Sequence, residues 1–533
     1  MMEIKAADGA ARRECLIVNV MLAGLEGPLA EKTDDGPGTR RAIPVVERVA
    51  VEIDQSERER LAACADGLLR NEPGLGQSGF FGPAVRPGLC EAPGVLIGDQ
   101  REIGLHARVS EQVVEHRIAL VASVGDTLIV ERRNEVFEDH LAALLGIAPL
   151  ETVAVGPPRA GSPVSLPMRL HGRPDLMDRL VAKARVAGGC QVLPHIGTGA
   201  AWLLAGEIAR RAGVPACVAA PPPRLTRRIN DKIWFAELVR SVLEPQALPP
   251  TFAAFGPAAI ASRLVRLART ARKVVVKTPD SAGGEGNLAI ESERIARSSL
   301  EDVRRLILSL LRARGWEGSY PVLVGVWLED VLASPSVQIW VPAPGLGDPV
   351  IEGLFEQRVS GDRAVFVGAV PADLPPDVEA RLCSEAMRLA LVLQRTGYFG
   401  RLSFDALLTG RELGSAEPKW IECNGRWGGV SLPMTLGNRL FPRDGPRGIC
   451  ILQDKAPPLR KRGVEACLAV LGGRLLRRGG GEGVVPLSAG LFERGRGLHL
   501  AAFANSQKRA EGLARDAFLR LVEEDPSRTA PAR

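Results

Sequence analysis

Two stretches of the 533-residue sequence gather residue types that could do chemistry. In Lys419 to Gly429, KWIECNGRWGG, Glu422 and Asn424 stand two residues apart, so on a β-strand their oxygen-bearing side chains share one face. Asp405 ends the polar side of the upstream run LSFDALL. The turn-rich GRELGSAEP between the two runs permits an antiparallel pairing that sets Asp405 beside that face. Two carboxylates and an amide oxygen are hard donors, the set that Mg²⁺ takes when it also bridges nucleotide phosphates. An acidic pair is more often a solvated strand face, but Asn424-Gly425-Arg426 and the double Gly428-Gly429 favour a site.

The second stretch is Arg272 to Ile290, RKVVVKTPDSAGGEGNLAI. A β-branched strand ends in Lys277, a glycine-rich loop follows, and a second short strand returns, which reads as a hairpin with a flexible tip. No G-x-x-x-x-G-K-[ST] run opens a helix anywhere in the chain, so this is not a P-loop. Ser281, Gly283, Gly284 and Gly286 can still offer backbone donors to phosphate, because glycine lets the chain approach closely. Taken alone, the same residues would suit an ordinary hairpin with a long turn.

The elements that must position these groups follow from pattern. Short apolar runs at 15–20, 126–130 and 191–196 read as buried strands. Asn134 to Leu145, Pro174 to Ala187 and Ala200 to Arg211 carry helical spacing, which gives an open α/β layout for the first third. Residues 31–40 and 71–98, rich in Gly, Pro and acid, read as exposed loops. The prolines at 221–223 mark a stiff boundary, after which come a helix from Lys232, strands at 273–278 and 322–328, a helix at 378–395 ended by Gly397, and a strand pair within 402–425. Beyond residue 456, basic clusters, a Gly-rich run and a last helix at 506–523 suggest a small terminal unit. The expected division is 1–224, 225–455 and 456–533.

Composition bounds the rest. A chain of 56.9 kDa with 46% hydrophobic and 24% charged residues buries sizeable cores and is neither a small module nor disordered. A net charge of +6 over this length is too weak a field to point to nucleic acid. Nine scattered Cys with no C-x-x-C indicate neither a disulfide framework nor a zinc site and fit a reducing cytoplasm. The apolar run Cys15 to Ala30 falls short of a membrane span. Gly197-Thr198-Gly199 echoes a dinucleotide fingerprint, but Trp202 stands where a small residue belongs, so it reads as tight strand-to-helix packing. His195 reads as structural.

Four stretches in order give the chain a family resemblance: INDKIWFAELV with Lys232, VVVKTPDSAGGEG with Lys277, the strand VLVGVWL, and the pair GYFGRLSFDALL and WIECNGR. Together they resemble the ATP-grasp superfamily over residues 226–450. Only ten of the 68 basic residues are Lys, and two of those ten fall at the family's two lysine positions. With a strand-helix region ahead and a short region behind, the chain looks like the pheganomycin-type peptide ligases with their pre-ATP-grasp domain. The resemblance implies an N-terminal open α/β domain, an ATP-grasp fold of two α+β subdomains and a small C-terminal α+β domain. It implies that Lys232 and Lys277 contact ATP phosphates under the Ser281 to Gly286 loop. Gly325, Val326 and Leu328 would meet adenine, and Asp405, Glu422 and Asn424 would hold magnesium. The hinge departs from the family in offering Gly325 and Val326 where a Glu usually stands, and which of Glu329 and Asp330 meets ribose stays open.

The activity implied is ATP-dependent phosphorylation of a substrate carboxylate, then attack of an amine on the acyl phosphate, with release of ADP and phosphate. Arg426 and Arg401 are the candidates for the acyl phosphate and its oxyanion. The partners expected are a small carboxylate and an amino acid or peptide amine, with no nucleic acid and no membrane, and with room for a homodimer. Two alternatives stand beside this: the same nucleotide site in a kinase or acid-thiol ligase, and a nucleotide-binding protein without turnover.

Overall fold

The structure is a computed structural model that describes residues 43–101, 114–158, 164–278, 286–313, 316, 318–361, 364–442, 448–454, 463–493 and 497–523. The strand expected at 15–20 and the loop residues Ser281, Gly283 and Gly284 lie outside the described residues.

The first third builds a six-stranded parallel sheet from β1 (Val85–Pro87), β2 (Gly94–Ile97), β3 (Thr127–Val130), β4 (Glu151–Ala154), β5 (Cys190–Pro194) and β6 (Ala216–Val218). The order is β1-β6-β5-β2-β3-β4, so the chain reverses its direction of travel between β2 and β5. One face is covered by the helices Pro174–Ala187 and Gly199–Ala212, whose Leu176, Leu180, Leu204 and Ile208 pack on Val95, Ile97 and Ile129. β2 corrects an expectation, because GVLI sits inside the segment read as exposed loop. A fully buried parallel strand shows no alternation, and four apolar residues between Pro93 and Gly98 are easily taken for loop. Of the prolines at the boundary, Pro222 stays extended while Pro223 does not. Pro223 opens the helix Pro223–Ile229, where its fixed φ and missing N–H suit the first turn.

A four-stranded antiparallel sheet follows, made of β7 (Thr251–Ala254), β8 (Lys273–Lys277), β9 (Asn287–Glu291) and β10 (Val322–Val326) in the order β7-β10-β8-β9. The helices Pro257–Leu267 and Leu300–Ala313 cover one face, where Val274 and Val276 join Leu264 and Ile307. Period 2 then turns Lys273, Val275 and Lys277 to the opposite face.

The remaining strands form one nine-stranded antiparallel sheet: β11 (Val331–Ala333), β12 (Pro335–Val341), β13 (Val350–Ser360), β14 (Val365–Pro371), β15 (Gly400–Thr409), β16 (Glu417–Asn424), β17 (Gly448–Asp454), β18 (Gly483–Pro486) and β19 (Leu498–Ala504). The path runs β11-β15-β12-β13-β14-β17-β19-β18, with β16 on β15. The boundary expected near residue 456 falls between β17 and β18, yet β18 and β19 extend this same sheet. Leu487, Phe492 and Phe503 share a core with Leu96, Leu128 and Phe137 of the first third. Among the described residues, the C-terminal segment therefore has no sheet of its own. No described helix is long and apolar enough to cross a membrane.

Candidate functional site

The acidic face forms as strand alternation dictates. β15 and β16 pair antiparallel with Asp405 opposite Glu422 and Ser403 opposite Asn424, and a bulge follows at Asp405/Ala406. The Asn424 amide donates to Asp405 Oδ2 at 2.9 Å and reaches Glu422 Oε1 at 3.5 Å, so the three side chains converge. Asp405 is buried, and its Oδ1 accepts from Ser336 Oγ at 2.6 Å; Gln338 Nε2 in turn donates to that hydroxyl at 2.9 Å. Burial and the neighbouring Glu422 carboxylate push the Asp405 carboxyl above its ordinary range. Two carboxylates so placed, with the Asn424 amide turned to offer its oxygen in place of the nitrogen that now donates to them, are the donor set of a hard divalent cation. The residues fit Mg²⁺.

Lys232 is brought to this face by a helix anchored at both ends of its first turn. Asp231 caps the helix Lys232–Val242, accepting from Ile233 N at 2.8 Å and Trp234 N at 3.4 Å. One turn on, Phe235 stacks on Phe404 of β15 with centroids 5.8 Å apart, and Phe404 meets Trp420 of β16 edge-on at 6.0 Å. The helix start is thus fixed over the two strands that carry the acids. Lys232 Nζ lies 3.0 Å from Glu422 Oε2. Burial raises the Glu422 carboxyl, but Lys232, with Arg426 and Lys277 behind it, outweighs that and holds it well below the usual carboxylate range.

Lys277 ends β8 on the face of the four-stranded sheet that its helices leave open. Its ammonium is pushed down to about 8, first by burial and then by the charge of Lys232, with Glu422 opposing. Two lysines from separate elements therefore feel each other and the same carboxylate.

At the far end of β8 lies the hinge. β10 pairs with β8 so that Leu323 is opposite Lys277 and Val326 opposite Val274, which separates the hinge from Lys277 by roughly 10 Å along the sheet. Val326 N donates to Pro250 O and Trp327 N to Lys273 O, so the chain is held to the sheet as far as Trp327. A Cβ on Gly325 would stand 2.9 Å from Pro250 O. β7 crowds this point, which accounts for glycine where a larger residue was expected. Glu329 reaches Arg272 at 3.7 Å. Gly286 remains at the base of the glycine loop, accepting from Thr278 N at 3.3 Å.

Arg426 follows the acidic strand directly. Its guanidinium donates to Asn230 Oδ1, which also accepts from Gly425 N at 3.2 Å, and Arg426 N donates to Asn424 O at 2.9 Å. A Cβ on Gly425 would collide with Ile229, so the close approach of the two segments requires glycine. The next residue crosses to the first sheet, where Trp427 N donates to His195 O at 3.0 Å; His195 N in turn donates to Ile97 O at 2.7 Å.

Arg401 is placed differently from the expectation. It lines the same small cavity as Arg426, His195 and Tyr398, but its buried guanidinium is in ion-pair contact with Glu352. It also donates to Pro44 O at 3.0 Å and lies over Trp340 and Trp427 at 5.2 and 5.4 Å. A guanidinium already engaged by a buried carboxylate is spoken for. Arg401 stands four residues along β15 from Asp405, and Arg426 directly follows the acidic strand.

Residues 115–209 match the pre ATP-grasp domain family. The match spans the buried 3₁₀ segment Glu115–Val121, β3, β4, β5 and most of the helix Gly199–Ala212. Among solved structures, N5-carboxyaminoimidazole ribonucleotide synthetase in its ADP complex is similar with TM-score 0.48 and 11% identity, over 81% of this chain and 98% of that one. Biotin carboxylase from Campylobacter jejuni is similar with TM-score 0.49 and 14% identity, over 80% and 91%. No curated protein matches the sequence. Within the pre-ATP-grasp match, Gly197 packs as expected: a Cβ there would meet Pro221 O at 2.7 Å, and Trp202 Nε1 donates to that same oxygen at 3.1 Å.

Three contributors to the site escaped the sequence reading. Asn230 sits beside Asp231 in INDK and could have been found there as a second polar residue at the helix start. Ser336 and Glu352 lie on strands of no evident motif, and only the sheet order brings them to Asp405 and Arg401.

Proposed function

We propose that the chain is an ATP-dependent ligase of the ATP-grasp type that activates a carboxylate as its acyl phosphate and transfers the acyl group to an amine, forming an amide or peptide bond. The observation that carries this reading is the shared neighbourhood of Lys232, Lys277 and Glu422, assembled from a helix and two different sheets. A triphosphate is the ligand that calls for two ammonium groups beside a divalent-cation face.

In this reading adenine lies against the Gly325, Val326 and Leu328 backbone, the phosphates run toward Lys277 and Lys232, and Gly286 stands just before β9, at the end nearest them. Asp405, Glu422 and Asn424 would hold Mg²⁺, which would supply positive charge to the phosphates. The two lysines orient the γ-phosphoryl group and offset the charge that spreads over its oxygens during transfer, the part of phosphoryl transfer that a protein supplies. The substrate carboxylate oxygen attacks γ-phosphorus and ADP leaves. The amine nitrogen then attacks the acyl carbon, loses a proton, and phosphate departs. Arg426, fixed by Asn230, donates to the acyl phosphate and to the oxyanion formed on the carbonyl oxygen.

An ADP-release screen with amino acids and short peptides supplied in pairs tests the reading. Hydroxylamine should intercept the acyl phosphate as a hydroxamate when the acid alone is present. ADP formed from an alcohol, with no hydroxamate from any acid, would assign the site to a kinase instead.

A further inference from the structure

The amino edge of the first sheet carries a thiol cluster that the nucleotide site does not use. After Pro87 at the end of edge strand β1, the chain turns back across β6 and β5 before entering β2 at Gly94. One fully buried amide fixes this turn. Gln191 Oε1 accepts from Cys90 N at 2.7 Å, and Gln191 Nε2 donates to Gly88 O and Cys217 O, each at 3.2 Å. Gln191 and Cys217 are opposite each other in the β5–β6 register, so their side chains leave the sheet on one face.

The anchoring lays Cys90 onto Cys217. The Cys90 thiol donates to Cys190 O at 3.5 Å, and its sulfur is a neighbour of the Cys217 sulfur. Arg86, the cross-strand neighbour of Cys217 on β1, places its guanidinium against that sulfur. Cys90 is half-buried and within reach of solvent, whereas Cys217 is 2% exposed. Of the other described cysteines, Cys190, Cys383, Cys423, Cys450 and Cys467 are buried, and Cys64 contacts Ser241 Oγ at 3.5 Å.

We propose that Cys90 and Cys217 are a redox-active thiol pair, a modification site that small-molecule disulfides oxidise to an internal disulfide. The neighbouring Cys90 thiol and then the Arg86 guanidinium favour the Cys217 thiolate against its burial. The reaction divides between the two sulfurs. Cys90, the one that solvent reaches, passes its proton to Cys217 and attacks a sulfur of RS–SR, forming Cys90–S–SR and releasing RS⁻. Cys217 then gives its proton to water and attacks the Cys90 sulfur, expelling the second RS⁻. The two cysteines lose two electrons, and the small disulfide gains them as two thiolates.

The test uses the full chain with glutathione disulfide, followed by alkylation and non-reducing peptide mapping. The expected product is one peptide pair joined through Cys90 and Cys217 and separated by dithiothreitol. Cys217→Ser should leave a glutathione adduct trapped on Cys90, because the resolving sulfur is gone, and Cys90→Ser should remove both products. Iodoacetamide should label Cys90 at least tenfold more slowly in Cys217→Ser. Arg86→Gln, an exposed position, should slow labelling severalfold and keeps the test open if a serine variant misfolds. A glutathione adduct that persists on wild-type Cys90 without cross-linking, or labelling of Cys64 ahead of Cys90, would overturn the proposal.

Discussion

Asn230 holds Arg426 and the backbone before it through a single oxygen: Oδ1 accepts from Gly425 N at 3.2 Å and from the Arg426 guanidinium. Asn230 is itself fixed, since Nδ2 donates to Thr226 O at 2.7 Å. The arginine at the acidic face thus takes its direction from the residue two places before Lys232.

Asn230→Ala should therefore disturb catalysis more than nucleotide binding. Hydrogen bonds to a charged group contribute about 1.5–3 kcal/mol, so the rate of ADP release should fall roughly tenfold to a hundredfold with KM for ATP changed less than threefold. Asn230→Asp, which keeps the acceptor, should recover most of the loss. Steady-state kinetics of the three proteins checks this, and a loss confined to KM for ATP would contradict it.

Glu422→Gln keeps the shape of the strand but removes the charge that Lys232 faces. ADP release at saturating Mg²⁺ should drop at least about a hundredfold, while circular dichroism stays near wild type and the melting temperature falls somewhat, because the buried Lys232 loses its counter-charge. Chelation should stop the wild-type protein and added Mg²⁺ restore it. Turnover at the wild-type rate in the variant would remove Glu422 from the metal site.

Lys277 sets a pH dependence. Its folded-state pKa lies at about 8, below the ordinary 10.5, so the ammonium is charged below pH 8 and lost above it. A triphosphate binds the charged form, so the Kd for ATP should rise by roughly tenfold per unit above pH 8, and binding there should take up a proton. Lys277→Arg keeps its charge throughout and should flatten the profile. Calorimetric titrations in buffers of different ionisation heat measure the proton directly.

The Arg401–Glu352 contact predicts a stability effect. Glu352→Ala leaves a buried guanidinium uncompensated and should cost about 3–5 kcal/mol in denaturant unfolding, whereas replacing both residues with Met should cost much less. If the double variant also retains ADP release, Arg401 is a scaffold residue. Loss of activity in a stably folded double variant would return it to the reaction.

Much of the site was legible because its logic is local. Asp405, Glu422 and Asn424 face one way by strand period, and the turn between their runs is short enough to force antiparallel pairing. Lys277 stood out as the polar end of a β-branched run. What stayed hidden depends on distant pairing. Glu352 meets Arg401 because β13 lies beside β12 and a bulge at Gln338/Ile339 shifts its register. β2 was missed because strands buried on both faces lack alternation. The C-terminal strands read as a separate unit because nothing local in β19 announces that its partner is β17, about 50 residues earlier. Gly325 looks like a departure from a hinge pattern, when its reason is Pro250, the residue before β7, and Thr251 at the start of that strand.

The order of the nine-stranded sheet also bears on how the protein is made. β17 shares only two paired positions with β14 but seven with β19, so most of its ladder comes from residues 498–504. On the ribosome, a nascent chain that has released β17 but not β19 presents an almost bare strand edge. The sheet that carries the acids is completed only once residues 498–504 have been released.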